Sequence, residues 1–585
     1  MRSIVFALAA LATMASPAFA QDAAQDLQRL FADERAFVWR EDPLGATYDG
    51  VHDYDDRLAS VTPEAQARQL AADEDFLRRL GAIDRTALST FDRTSYDLFD
   101  FMVRQRVTLA RHREWRTPLN SDSGFYTSIL QLHDAQAPRT VRDYDNYIAR
   151  LNDVPRYFAE NIANMRQGMA DGFTLPAEIT PGISSVIAAA QYQNVEETPF
   201  FTPFREFPDT VPEADRARLR EAGRRAVEDS VLPAYRDFRG FFEEEYRPAA
   251  RRSIGASALP NGRAYYADLV RYYTTLPDAT PQQVHRTGLA EVARIRAEME
   301  AIVEEVGFEG SFSEFLTFLR TDPQFYATTP EQLLREAAWI TREVDARMPE
   351  LFATIPRAPY TVRPVPEALA PNYTGGRYNP GPMGAAGEYW VNTYALQNRP
   401  LYTLPALTLH EAAPGHHTQG AIARELENVP RFRLNFYPHA FGEGWGLYSE
   451  YLGQEIGVYH TPYQRFGRLT YEMWRACRLV VDTGMHAMGW SRQRALDYMT
   501  ANTALSEHEI RTEIDRYIAW PGQALAYKTG EMQIIALRRR AEQELGERFD
   551  VRLFHDAVLG QGGVTLPVLE QQIEAYIEAS RAPAN

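Results

Sequence analysis

His410-Glu411-Ala412-Ala413-Pro414-Gly415-His416-His417 places three of the chain's 12 histidines within a short stretch, with a carboxylate directly after the first. A His-Glu pair followed by another histidine one helical turn later is how zinc hydrolases build a site. Two imidazoles hold the metal, and the glutamate between them activates water. Here the residue four after His410 is Pro414, and the next imidazoles come six and seven residues on. On a regular helix His416 would point away from His410, and His417 would lie roughly 10 Å along the axis. Neither could then share an ion with His410 at bond lengths of ~2.0–2.1 Å. Pro-Gly breaks or bulges a helix. If Pro414 and Gly415 are looped out, His416 takes the i+4 place; if three residues are absorbed, His417 does. The two-residue bulge is the simpler accommodation and favours His416, with His417 as the alternative ligand. Residues 401–411, with Leu404, Leu407 and Leu409, read as a mostly buried helix carrying the first histidine and Glu411.

Outward from this stretch, helical periodicity dominates. In 291–308 the apolar residues Val292, Ile295, Met299, Ile302 and Val306 recur at three- and four-residue steps, the stripe of an amphipathic helix. Similar patterns cover 64–80, 141–167, 214–242, 330–347 and 567–579. The fold class predicted is mainly α. Strand-like sequence is scarce: the best case is 388–393, after the glycine-rich 379–387. Lying just before the histidines, that strand could pair with an extended substrate backbone, with Asn392 as a substrate contact; a purely structural hairpin reads equally well.

Downstream, residues 441–453 (FGEGWGLYSEYLG) are helical in pattern and carry Glu443 and Glu450 on one face. A glutamate from a second helix commonly completes a three-ligand catalytic zinc site and leaves one position for water. The segment resembles the third-ligand helix of aminopeptidase N-type gluzincins, and that resemblance makes Glu443 the ligand. Glu450, two turns on, would orient a histidine from behind.

Taken together, these residues resemble a bacterial family, domain of unknown function 885. Its members carry His-Glu-x-x-Pro-Gly-His-His, then Glu-Gly-Trp-x-Leu-Tyr-x-Glu, then segments like 478–486 (RLVVDTGMH) and 520–530 (WPGQALAYKTG), all present here in order. The resemblance implies a large helical zincin-like fold with a deep cleft and a small β-sheet near the active helix. It also points to the last two segments for further machinery. Tyr527 is a candidate donor to the oxyanion formed when water attacks an amide. His486 is a second candidate, or a packing histidine bonded to Asp482. Lys528 is the only lysine in the chain, and it either grips a substrate carboxylate or pairs with a buried acid.

The amino terminus reads as a secretory leader over residues 1–20. Arg2 precedes an apolar run, and Ala18-Phe19-Ala20 sets a cleavage site before Gln21. The expectation is a periplasmic or secreted protein with no membrane insertion. No cysteine follows that site, which argues against a lipoprotein; the sole cysteine, Cys477, excludes disulfides within the chain. The formal net charge of −17 argues against nucleic-acid or anionic-membrane partners. After the leader, 21–250 reads as an N-terminal helical region and 251–585 as the catalytic region, forming one continuous unit. The function expected is hydrolysis of short peptides with Zn²⁺ as cofactor, Glu411 as general base and Tyr527 as oxyanion donor. The rivals are a zinc-dependent amidase acting on cell-wall peptides or modified amino acids, and a metal-free binding protein on the same scaffold.

Overall fold

In the computed structural model, residues 17–121, 123–367, 370–381 and 385–581 are described; most of the expected leader lies outside them. Helix Pro462–Ala487 runs through the centre. Thr461 caps it through a reciprocal bond with Gln464, Pro462 presets the first turn, and every residue from Phe466 to His486 is buried. A helix buried on all sides must satisfy its charged residues internally, and this one carries Arg468, Glu472, Arg475, Arg478 and Asp482. Helix Pro281–Glu305, which holds the 291–305 stripe, packs along it. Helices His439–Glu455 and Ala526–Leu545 also cross closely: a Cβ on Gly530 would fall 1.7 Å from the Ala440 carbonyl oxygen. Only glycine permits that approach, and the crossing brings Glu443 and Tyr527 to the same region.

The architecture is mainly helical, as the periodicity predicts. The stripes at 64–80, 141–167, 330–347 and 567–579 fall on helices Pro63–Leu80, Val141–Asp171, Pro330–Asp345 and Leu566–Arg581. The 214–242 stripe falls on a continuous helical run interrupted by π-helical turns at Val227–Val231 and Phe242–Tyr246. One hydrophobic cluster includes Leu27, Phe158, Phe238, Leu409, Val480 and Ile577 and so spans the amino- and carboxyl-terminal regions.

The described strands form one three-stranded sheet, β1 (Tyr360–Pro364), β2 (Gly376–Asn379) and β3 (Gly387–Val391), in the order β1-β3-β2. β3, read from sequence equally well as a substrate-pairing strand or a structural hairpin, is the central strand: β1 pairs with it in parallel and β2 antiparallel. Both of its edges are taken, so it has no free edge to offer. The edge strand near the histidines is β2. Asn392 N–H bonds the Gly375 carbonyl at 2.9 Å, and antiparallel alternation then turns the backbone groups of Gly376 and Tyr378 away from β3.

Lys528 anchors a buried ionic cluster. It is 1 % exposed, and its Nζ lies 2.7 Å from Glu472, 2.7 Å from Glu531 and 3.1 Å from Glu291. Burial disfavours the ammonium, but Glu531, Glu472 and Glu291 outweigh it and hold the pKa above the ordinary lysine value. Of its two expected roles, Lys528 takes the pairing with buried acids; it has no donor to spare for a substrate. Lys528→Met should therefore destabilise the fold by about 3–5 kcal/mol, because Glu531 is left buried without its counter-charge. Urea unfolding of the variant against the parent measures this, and a loss below ~1 kcal/mol would show the cluster to be redundant.

Candidate metal centre

Residues 410–417 span a break between two helices. Helix Leu404–Glu411 ends one residue after His410, and helix His416–Glu425 begins on His416. The expected bulge inside one helix is instead a turn over residues 412–415, with a cis Ala413–Pro414 bond. Pro414 has no N–H to give the His410 carbonyl, so the helical ladder cannot continue. A Cβ on Gly415 would lie 1.9 Å from the His410 carbonyl oxygen, so only glycine lets the chain fold back over the helix end. Trp445 Nε1 donates to the Pro414 carbonyl at 2.9 Å and holds the turn from the neighbouring helix.

This turn brings His416 to His410. The ring centroids are 4.8 Å apart and nearly perpendicular. Glu443 Oε2 lies 3.6 Å from His410 Nε2 and 3.4 Å from His416 Nε2. Among the described residues, these three side chains form the one group able to offer a metal at least three donors, with all donor atoms within 4.8 Å of one another. Donors bound at ~2.0–2.1 Å to one tetrahedral ion stand roughly 3.4 Å apart, so the two nitrogen–oxygen spacings suit zinc. The donor set, two imidazoles and a carboxylate, is also the chemistry zinc prefers.

Burial grades across the cluster. The His410 side chain is 3 % exposed, whereas His416 and Glu443 keep 15 % and 14 %. The group is therefore walled behind His410 and open beside the other two. His410 packs directly on Gly446, where a Cβ would sit 2.7 Å from the ring. Behind it, Nδ1 meets Glu450 Oε1 at 2.8 Å, and Glu450 is itself 1 % exposed and 3.5 Å from Arg475. In the neutral ring that a metal requires, a carboxylate on Nδ1 places the proton there and leaves Nε2 as a lone-pair donor. Burial opposes charge on His410, but Glu443, Glu450 and Glu411 prevail and push its pKa up to about 9. Desolvation opposes the charge on Glu443 as well, but its bonds to His410 and His416 hold it well below the usual carboxylate range. Both shifts mark a site that attracts positive charge.

Glu411 follows His410 and is 9 % exposed. Its Oε2 accepts the outward N–H of Tyr378 on β2 at 2.7 Å, so the sheet edge fixes this carboxylate. Tyr527 is half-buried. Its ring lies 6.5 Å from that of His410 at 22°, and the Arg478 guanidinium stacks on it at 4.2 Å.

The other sequence candidates lie elsewhere. His417 turns towards the sheet: its ring sits 4.3 Å from Tyr360 and its Nδ1 3.2 Å from the Tyr378 hydroxyl, and burial pulls its pKa down to about 4. Asn392, expected to touch substrate, has its side chain committed to the backbone. Fully buried, it donates to the carbonyls of Ala370, Tyr373 and Thr374 at 2.9–3.0 Å and accepts from Tyr394 N–H. His486 is a packing histidine, but not against Asp482. Its Nδ1 accepts from Ala256 N–H at 3.0 Å and its Nε2 meets the Tyr517 carbonyl at 2.9 Å. Burial lowers its pKa to about 3. Asp482 instead takes the Tyr266 hydroxyl and the Gly522 N–H.

Two residues without a motif also belong here. Tyr437 is 45 % exposed, yet its hydroxyl pKa is raised well above the ordinary value. Desolvation is the largest cause, followed by the charges of Glu443, Tyr527 and Glu411 and a hydrogen bond to Glu443. Arg377 on β2 is solvent-exposed; desolvation lowers its pKa, and Tyr373, Glu411, Tyr527 and Glu443 more than offset this.

Fold and site together define a large helical protein with a two-histidine, one-glutamate donor set across a broken helix. The chain belongs to the bacterial family of unknown function DUF885, whose profile matches residues 43–573. It is similar to the crystal structure of a protein from Colwellia psychrerythraea described as a "putative lipoprotein". The two are 28 % identical, with 95 % of this chain and 99 % of that one covered and a TM-score of 0.87. A Shewanella oneidensis protein, described as a "putative lipoprotein of unknown function", shares the fold at 18 % identity and a TM-score of 0.73, with 96 % and 100 % covered. No curated protein matches. Among the described residues no helix is long and apolar enough to cross a membrane.

Proposed function

We propose that this protein is an extracytoplasmic zinc-dependent hydrolase of short peptides. The observation that carries this reading is the convergence of His410, His416 and Glu443 beside Glu411. Zinc held by those three residues would supply Lewis acidity, polarising a carbonyl and acidifying water. Glu411, fixed by the Tyr378 N–H, takes the proton of the attacking water and returns it to the leaving amine. Glu450 holds His410 in the tautomer that presents Nε2. The Tyr527 phenol, stacked on Arg478 and with its ring beside that of His410, would donate to the oxyanion. Tyr437, hydrogen-bonded to Glu443, would contact a substrate held beside the metal donors. The leader-like amino terminus and the lipoprotein descriptions of the two similar structures support placement outside the cytoplasm.

The test pairs metal analysis of the purified protein with mass spectrometry of a panel of short peptides and simple amides. Zinc bound one per chain and peptide cleavage abolished by chelation are expected. Protein that neither retains nor regains zinc overturns the reading in favour of a binding protein, and cleavage confined to non-peptide amides moves it to an amidase.

A further inference from the structure

Arg377 combines three properties found together in no other described guanidinium at the site. It is exposed to solvent, and no carboxylate among the described residues lies within ion-pairing distance of it. It also sits one residue from the backbone N–H that fixes Glu411. Its ring neighbour is Tyr373, whose centroid lies 5.4 Å from the guanidinium. The other arginines near Tyr527 are engaged. Arg478 is 3 % exposed and pairs with Glu513 at 2.9 Å; Arg475 is 4 % exposed and reaches Glu450. Arg516 donates to Gln523 at 2.7 Å and lies 3.8 Å from Glu513. Arg377 therefore feels the charge of Glu411 and Glu443 from beyond ion-pairing distance and keeps its guanidinium free to meet an incoming carboxylate.

Arginine is suited to hold a carboxylate through two parallel N–H bonds, a geometry lysine cannot supply. Resting on the peptidase reading above, we infer that Arg377 binds the free α-carboxylate of the substrate, so the protein removes residues from the carboxyl end of short peptides. The outward edge of β2 supports the same orientation. Tyr378 N–H already holds Glu411, and Arg377 precedes it on the strand, so a peptide whose scissile carbonyl faces Glu411 can run its carboxyl end along β2 to the guanidinium. In the reaction the peptide C–N bond breaks. The water oxygen, keeping one proton, joins the carbonyl carbon to give a new carboxyl end, and the other proton passes through Glu411 to the released amine. No oxidant or second reactant is needed.

The closing experiment separates binding from turnover. Calorimetry with the Glu411→Gln protein compares three probes: an alanine tripeptide, its C-terminal amide and its N-acetyl form. The amide should bind about 10- to 100-fold more weakly than the free acid, the size of a lost charge-assisted contact, and N-acetylation should change little. Adding Arg377→Gln should erase the acid-over-amide preference, and Arg377→Lys should restore only part of it. Because the readout is a ratio within one variant, partial misfolding cannot imitate it. Equal binding of acid and amide, or loss of binding on N-acetylation alone, overturns the carboxylate site. Selective binding by a parent protein that cleaves nothing instead sinks the peptidase reading and leaves the carboxylate site standing.

Discussion

Glu411→Gln should keep its zinc and lose about 10²- to 10⁴-fold in kcat, the range associated with removing a positioned general base. The substitution is close to a pure test of charge. The amide oxygen of glutamine can still accept the Tyr378 N–H that fixes Glu411 Oε2 at 2.7 Å, so the side chain should stay in place. The donor atoms of His410, His416 and Glu443 belong to other residues, so the metal site should survive. What disappears is the ability to accept a proton from water and pass it on. Elemental analysis and steady-state kinetics on the same preparation read both halves. Full activity in the variant would move the base to another residue. Loss of zinc together with activity would make Glu411 a structural member of the site and would leave the proton path unexplained.

Much of this protein is legible in its sequence because helices announce themselves through spacing. The stripe from Val292 to Ile302 needs only the 3.6-residue repeat to be read, and it lies on the observed helix. Glu443 and Glu450, seven residues apart, are readable as one helical face for the same reason, and Glu450 does stand behind His410. The sheet was less readable. The aromatic and β-branched run in β3 marks a strand, but its central place depends on Tyr360–Pro364 and Gly376–Asn379, which pair with it from outside the run. Gly376-Arg-Tyr-Asn379 has no alternating apolar pattern, so the edge that meets Glu411 carries no local signal. Long-range bonds hid the roles of buried polar residues in the same way. His486 bonds backbone groups at Ala256 and Tyr517, and Lys528 meets Glu291 and Glu472 on other helices. Arg377 and Tyr437 join the site only through the fold.

Replacing the two adjacent histidines one at a time should give opposite results, and Glu450 should fall between them. His416→Ala removes a donor 3.4 Å from Glu443 and should abolish stoichiometric zinc binding. Glu450→Ala leaves all three donors but frees the His410 ring, so zinc affinity should fall about 10- to 100-fold, as for other groups that orient a ligand. His417→Ala should leave zinc bound, because that ring lies against Tyr360 and Tyr378 on the sheet side. The ordering follows from the helix break at 412–415. A second helix that starts on His416 directs two consecutive side chains to different sides of its first turn, since neighbours on a helix stand about 100° apart. One side of that turn is the Glu443 carboxylate and the other is the sheet. Competition against a chromogenic chelator measures all three affinities under one set of conditions. Zinc loss in His417→Ala with retention in His416→Ala would mean that the metal-loaded protein absorbs three residues at the break, with His417 as the second imidazole.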